Sequence, residues 1–88
     1  MTNNVYVLYN NLSRRYGDVM AYPSDAFAAQ RMAEIIQRGA MPYAETELCR
    51  VGTVDVDSGV ITPCDPIRIA IPELPNPQAR PVSEMETK

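Results

Sequence analysis

The segment between Pro23 and Gly39 constrains the fold most, because it predicts one amphipathic helix. Ser24 or Asp25 stands where a helix N-cap is favoured, and Gly39 can end the helix in a left-handed conformation. A helix with one apolar face must cover another element. The residues of that face are Ala28, Met32, Ile35 and Ile36, with Phe27 at its margin.

The segments on both sides of this helix carry the β-branched and aromatic residues typical of strands. The first of them is apolar on both alternating faces and therefore predicts a central strand that is covered on both sides. Pro23 ends the second, Pro72 ends the last, and Gly52 marks a bulge in a hairpin. The predicted strands are residues 4–10, 46–56 and 60–62, with residues 19–22 as a short strand or an extended arm and residues 67–71 as the fifth strand.

This order of elements predicts an α+β fold, a small two-layer domain over residues 1–72. One amphipathic helix is expected to pack on an antiparallel sheet of four to five strands. Residues 73–88 contain three prolines and scattered apolar residues, so they predict a flexible, acidic, disordered C-terminal tail.

The residue types that are missing argue against catalysis. The 88 residues include no histidine, the commonest general base and metal ligand, and only two cysteines. No segment resembles a phosphate-binding loop, a nucleophile elbow or a zinc motif. Asp55 and Asp57 are interpreted as residues of a hairpin turn rather than as metal ligands. We therefore expect a protein that is not an enzyme and has no metal site and no cofactor.

The two cysteines predict no disulfide and no other role. If Ser58–Gly59 is a two-residue loop, Asp57 pairs with Val60, and this register places Cys49 opposite Arg68 rather than opposite Cys64.

The charge distribution limits where a nucleic acid could bind. The net charge is −3, and the excess of acid lies in residues 51–88, so any contact with DNA would have to be local. Residues 9–16 interleave aromatic rings, amides and two adjacent arginines, a mixture that can stack on unpaired bases and hold phosphates. The alternative is an exposed loop whose arginines pair with Asp18, Asp25 or the acidic second part of the chain. The candidate DNA-binding residues are Tyr9, Asn11, Arg14, Arg15 and Tyr16.

No stretch of the sequence is long and apolar enough to predict a membrane span, and residues 1–4 lack the pattern of a signal peptide. We therefore expect a cytosolic protein with no membrane partner.

Several short motifs together resemble a known family. The chain has an N-terminal strand at residues 5–9, a helix opened by Ala21-Tyr22-Pro23, the segment at residues 47–55, and Ser58-Gly59 with prolines after it. In this order and spacing it resembles the small nonstructural accessory protein of gokushovirus-type microviruses over residues 5–72. The loop at residues 41–45 departs from the His-Pro-Glu-Asp-like run expected there.

The resemblance implies a bacteriophage protein that acts in the host cell cytoplasm and is not expected in the mature virion. It implies a role in viral DNA replication, namely single-stranded DNA genome synthesis, and in DNA packaging into procapsids. The implied partners are single-stranded DNA and the viral replication initiator or procapsid proteins. No catalytic residues are implied.

A second hypothesis from the residues is an acidic protein–protein adaptor for a viral or host partner, without direct DNA contact. It would bind through an exposed strand edge or through the proline-rich tail. A homodimer formed through an edge strand fits either hypothesis, because the predicted core of roughly 70 residues is small.

Overall fold

The computed structural model describes residues 1–39 and 45–74. Four antiparallel strands form one sheet in the order β2-β1-β3-β4, and one helix packs on one of its faces. This confirms the predicted two-layer α+β architecture. The elements are β1 (Thr2–Asn10), β2 (Arg15–Tyr22), α1 (Asp25–Gln37), β3 (Thr46–Asp55) and β4 (Ile61–Ile69).

The strand β1 is central, as predicted, and pairs along its length with both β2 and β3. It is also expected to be covered on both sides, and among the described residues each of its faces has a buried member, Tyr6 on one and Val5 on the other. Side chains alternate along a strand, so Tyr6 and Leu8 face the helix while Val5 and Val7 face away from it. Only the first of these two faces carries a helix.

The helix begins and ends as its sequence predicts. Ser24 is the N-cap, and its Oγ accepts a hydrogen bond from the amide of Phe27 at 3.1 Å. Gly39 has φ 82°, and its amide donates to the carbonyl oxygen of Ile36 at 2.9 Å. The buried face differs in part from the prediction: Ile36 is only half-buried, whereas Ala29 and Ala33 are buried.

The core lies between the helix and the two central strands. Its fully buried members are Tyr6, Ala28, Met32 and Leu48. Six half-buried apolar side chains pack around them: Leu8, Met20, Tyr22, Ile35, Ile69 and Ile71. Ile69 is the last residue of β4, and Ile71 follows it by two residues. The packed domain therefore extends at least to Ile71.

The first hairpin is longer than predicted. Residues 15–18, which lie outside the predicted strands, belong to β2. Arg15 and Tyr16 pair with Asn10 and Tyr9, and the next two residues fall where the register shifts. Tyr9 lies opposite Tyr16, and their ring centroids are 4.8 Å apart. A cross-strand aromatic pair stabilises the ladder at this point, so the strands continue through residues that local composition assigns to a loop.

The second hairpin corrects two predictions. The loop is not the two residues Ser58–Gly59, because Val54 pairs with Ile61 and Asp57 does not pair with Val60. A register shift between Arg50 and Gly52 then brings Cys49 opposite Arg68. The sequence predicts the same pairing, but from a two-residue loop that the structure does not have. The predicted fifth strand is the last part of β4.

The irregularity beside Gly52 confirms the predicted bulge. A Cβ atom at this position would collide with the backbone carbonyl oxygen of Thr62 on β4. A glycine is therefore needed here because another backbone approaches closely.

The described residues include no helix that is both long and apolar enough to cross a membrane.

Candidate functional site

The tip of the β1–β2 hairpin is a four-residue loop organised by Asn10. The Oδ1 of Asn10 accepts hydrogen bonds from the amides of Leu12 at 2.9 Å and of Ser13 at 2.8 Å. Its carbonyl oxygen accepts from the amide of Arg14 at 2.8 Å. An asparagine side chain that caps its own turn in this way fixes the loop without any contact from Arg14 or Arg15 side chains. The two guanidinium groups are left outside the turn.

Arg14 has a left-handed backbone conformation, with φ 59°. Glycine or asparagine is the usual residue at such a position, and another L-residue costs roughly 1–2 kcal/mol. The chain therefore keeps an arginine where turn chemistry alone would favour a different residue. Strain of this kind is typical of positions whose side chain serves a function.

Arg14 and Arg15 are exposed, and neither forms an ion pair or hydrogen bond with any side chain in residues 1–39 or 45–74. The alternative interpretation had them pairing with Asp18 or Asp25, but Asp25 binds Arg50 instead. The carboxylates of residues 75–88 lie outside the described residues. Two adjacent guanidinium groups, unpaired among the described residues, thus lie at one end of the sheet.

The ring pair of Tyr9 and Tyr16 adjoins these arginines. The two rings are tilted by 52°, and Tyr16 is 57 % exposed. An exposed tyrosine ring that is held by a second ring presents a fixed apolar face on which an unpaired base could stack.

The arginines and the rings do not all lie on one face of the sheet. Arg15 pairs with Asn10, the next position along the ladder from the tyrosine pair. Since successive side chains of a strand alternate, Arg15 points to the face opposite Tyr16. A ligand that touched both would therefore pass over the hairpin tip at the outer edge of the sheet.

Asn11, the fifth candidate residue, is held differently from the other four. Its amide donates to the carbonyl oxygen of Glu45 at 2.8 Å, which ties the loop to the start of β3. Its side chain lines a cavity of about 240 Å³ between the start of β3 and the end of β4. The charged groups of this cavity, Glu47 and Arg68, bind each other at 2.7 Å. The structure thus brings together Tyr9, Arg14, Arg15 and Tyr16, and it places Asn11 toward β3.

A second polar cluster lies where the helix N-terminus meets the sheet. The Oδ1 of Asp25 accepts hydrogen bonds from the hydroxyl of Tyr6 at 2.7 Å and from Nε of Arg50 at 3.0 Å. Asn4 Nδ2 donates to the Tyr6 hydroxyl oxygen at 3.1 Å and to Asp25 at 3.4 Å. Sequence reasoning missed this cluster and considered Asp25 as a candidate N-cap and as an alternative partner of the loop arginines. Its other members are 19, 21 and 25 residues away from Asp25 in the chain, and no local pattern joins them.

The cluster perturbs both of its acidic groups. Burial, followed by the hydrogen bond to Asp25, raises the pKa of Tyr6 to about 12. The hydrogen bond from Tyr6 lowers the pKa of Asp25, and Arg50 adds to this effect while burial opposes it. The tyrosine therefore stays neutral and the aspartate stays ionised at neutral pH. Their arrangement joins the helix N-terminus to the sheet, and neither of these two groups exchanges a proton near pH 7.

The carboxylates of the turn between β3 and β4 bind groups close to the turn. Asp55 Oδ1 accepts from the amide of Asp57 at 2.9 Å, and Asp57 binds the N-terminal amine at 3.2 Å. In the part of the chain that the structure describes, no group of three or more histidine, cysteine or carboxylate side chains is arranged to hold a metal ion. The interpretation of these two aspartates as turn residues is confirmed.

Both cysteines are free thiols. Cys49 is buried, and this burial, with the charge of Glu47, raises its pKa. A thiol with a raised pKa is a poor nucleophile at neutral pH.

Comparisons with protein-family models, with curated proteins and with solved structures gave no significant match.

Proposed function

We propose that this protein is a non-enzymatic bacteriophage accessory protein that binds single-stranded DNA through the tip of its β1–β2 hairpin. The observation that carries the proposal is the pair of exposed arginines, which have no partner within residues 1–39 and 45–74, beside the tyrosine ring pair. Arginine contacts phosphate with planar, bidentate geometry, and aromatic rings stack on bases that are not paired. The biological setting, single-stranded genome synthesis and packaging in a microvirus, rests on the sequence resemblance over residues 5–72.

In this proposal each residue has a separate role. Arg14 and Arg15 contact two phosphates at the hairpin tip. Tyr16 stacks on one base, and Tyr9 supports the Tyr16 ring from the neighbouring strand. Because Arg15 and Tyr16 point to opposite faces, the DNA strand crosses the tip. A duplex is too stiff to make this turn over so short a distance, and its bases are already stacked, so single strands are preferred.

The overall charge sets the expected affinity. With a net charge of −3 and only two phosphate contacts, electrostatic binding is weak and confined to the tip. This protein would therefore bind where single-stranded DNA is locally concentrated, as at a replication or packaging complex. It would not coat a genome.

Fluorescence anisotropy tests the proposal. A labelled single-stranded oligonucleotide and a duplex of the same length are titrated with the protein at low and at near-physiological salt. We expect salt-sensitive binding with a preference for the single strand. Equal binding to both forms, or no binding at low salt, would contradict the proposal.

The second candidate function is the protein–protein adaptor, and the observation that favours it is the open edge of β2. Its residues are exposed or half-buried along the whole strand, so its outer backbone groups are accessible to an added strand. Candidate partners are titrated with the full chain and with a chain lacking residues 73–88. This comparison distinguishes binding at the β2 edge from binding by the tail. A partner lost on deletion binds the tail, and a partner retained binds the folded domain.

A further inference from the structure

A register shift in β2 brings two exposed side chains onto one face of this outer strand. Tyr16 pairs with Tyr9, and Val19 pairs with Val7. Tyr9 and Val7 are two residues apart on β1, so their side chains lie on the same face of the sheet, and their partners share that face. Tyr16 and Val19 are three residues apart and would point to opposite faces of a regular strand. The shift between the two pairs therefore aligns Val19 with Tyr16.

Both side chains are accessible to solvent. Val19 is 70 % exposed, and Tyr16 is exposed as well. A Cβ atom on Gly17, which lies between them in the chain, would meet no other described part of the chain within 4 Å, so the strand is uncrowded there. The next side chain on this face is that of Ala21, which pairs with Val5 and offers little surface. Two neighbouring apolar groups therefore lead from the hairpin tip along the outer strand.

The spacing of these two groups does not fit stacked bases. Tyr9 and Val7, which set the positions of their partners, are about 7 Å apart along the strand at a rise of about 3.4 Å per residue. Successive bases of one strand in a duplex are only about 3.4 Å apart. Two neighbouring bases can rest on Tyr16 and Val19 only if they separate from each other. A flexible single strand can do this, whereas a duplex would first have to unpair.

The charges around these two side chains favour a strand on their face of β2. The carboxylate of Asp18 lies on the opposite face, because Asp18 and Val19 are neighbours in the strand and their side chains alternate. Its negative charge repels a phosphate backbone that would continue along that face. In the row of the tyrosine pair the next residue toward the sheet centre is Glu47, which is paired with Arg68. A strand whose phosphates bind the tip arginines therefore runs along β2, past Tyr16 and then Val19.

We propose that Val19 is a second base contact, and that the hairpin site takes two adjacent, unstacked bases of a single strand. This inference rests on the proposed DNA binding and names the class of strand that fits it. The valine side chain gains affinity by covering apolar surface of a base. Pyrimidine runs stack weakly and separate easily, whereas adenine runs stay stacked. The site therefore prefers single strands that are rich in pyrimidines.

Anisotropy titrations with labelled oligothymidylate and oligoadenylate of equal length test this preference. We expect the protein to bind the thymine run about fivefold more tightly. Val19→Ala should weaken binding of the thymine run about fivefold and leave binding of the adenine run nearly unchanged. Val19→Phe, which offers a flat ring, should strengthen binding of the thymine run about threefold.

Val60→Ala is the matched control. Val60 is 63 % exposed and lies in the β3–β4 turn, at the end of the sheet away from the β1–β2 hairpin tip. This variant should bind both oligonucleotides like the original protein. Circular dichroism of each variant checks that the fold is kept, which is expected where the substituted side chain is exposed.

A third oligonucleotide separates the contribution of the bases from that of the phosphates. A thymine strand in which every second base is removed keeps all its phosphates and has no two adjacent bases. The original protein should bind it about fivefold more weakly than the intact thymine run. Val19→Ala should bind it as the original protein does, because the contact that this substitution removes is then already missing.

The results that overturn this inference differ from those that overturn the proposed function. Salt-sensitive binding that Tyr16→Ala weakens and Val19→Ala does not would overturn the second base contact and leave the DNA-binding tip in place. Equal binding of thymine and adenine runs, or equal weakening of both by Val19→Ala, would overturn the unstacked arrangement. No binding of any strand at low salt would overturn both proposals.

Discussion

The cluster around Asp25 makes a quantitative prediction about stability. Asp25→Ala removes a carboxylate that accepts hydrogen bonds from Tyr6, Arg50 and Asn4. Hydrogen bonds to a charged group contribute about 1.5–3 kcal/mol each when well buried. The Asp25 side chain is 39 % exposed, so water can replace part of what is lost, and we expect a total loss of about 2 kcal/mol.

Urea unfolding followed by circular dichroism measures this loss. Tyr6→Phe removes only the hydroxyl group and should cost about 1 kcal/mol. In the double variant the two losses should not add, because both report the same hydrogen bond, and a coupling of about 0.5–1 kcal/mol is expected. In thermal unfolding, Asp25→Ala should lower Tm by about 8–16 °C, since each kcal/mol shifts Tm by about 4–8 °C in a domain of this size.

The control and the pH dependence make this prediction falsifiable. Asp18→Ala removes an exposed carboxylate and should change stability by less than about 0.5 kcal/mol. The pKa of Asp25 is lowered in the folded state, so its contribution is present above the unfolded value of about 3.9 and is lost as pH falls through the folded pKa. The pKa of Tyr6 is raised to about 12, so stability should fall as pH rises from the unfolded value of about 10 toward 12, and Tyr6→Phe should abolish this decline.

Asp25→Ala and Asp18→Ala of equal stability would refute the assignment of Asp25 to this cluster. An alkaline decline that persists in Tyr6→Phe would refute the assignment of that titration to Tyr6.

Three further predictions concern the hairpin tip and the bulge. Tyr16→Ala should weaken single-strand binding about tenfold, the loss of one stacked base, while Tyr16→Phe and the control Phe27→Ala should bind normally in an anisotropy titration. Arg14→Gly should relieve the left-handed backbone, raise the free energy of unfolding by up to about 1 kcal/mol in urea, and weaken binding. Gly52→Ala should destabilise by about 2 kcal/mol in the same assay because of its collision with the Thr62 backbone, whereas Gly17→Ala, with open space around it, should be tolerated.

Each of these has an outcome that would contradict it. Equal binding by Tyr16→Ala and Tyr16→Phe would exclude stacking, and a destabilised Arg14→Gly would exclude backbone strain at the turn. Equal stability of the two alanine variants would show that β4 does not approach Gly52 as described.

The local parts of the fold could be predicted because each depends on neighbouring residues. The helix bounds follow from Ser24 and Gly39, and the central strand follows from the apolar run around Tyr6. The end of the first hairpin could not be predicted in the same way. Tyr9 and Tyr16 meet only after the strands pair, and this contact outweighs the polar composition of residues 15–18.

The second hairpin shows how two errors can cancel. A two-residue loop predicts that Cys49 lies opposite Arg68, and the structure has this pair although its loop is longer. The irregularity next to Gly52 changes the register of β3 against β4, and this change compensates for the longer loop. The sequence indicates a bulge at this glycine but does not say how many residues of β4 it displaces, because that depends on the approach of two backbones.

The residue types of the candidate site could be predicted from the sequence, but their arrangement in space could not. The interleaving of arginines and tyrosines is visible in the sequence, but whether Arg14 and Arg15 are paired depends on where distant carboxylates lie. Asp25 was a plausible partner from the sequence, and Arg50, from β3, binds it instead. The separation of Arg15 and Tyr16 onto opposite faces follows only from the observed register.

The salt dependence of binding to a single-stranded oligonucleotide tests most directly whether the hairpin tip binds DNA. The double variant Arg14→Ala with Arg15→Ala is compared with Arg31→Ala and Arg38→Ala, which removes the same charge from the exposed surface of α1 and its C-cap. The slope of log affinity against log salt should fall by about 1.4 in the hairpin variant, for two phosphate contacts on a single strand, and should stay unchanged in the helix variant. The same slope in the hairpin variant as in the original protein, or an equal fall in both variants, would contradict the account.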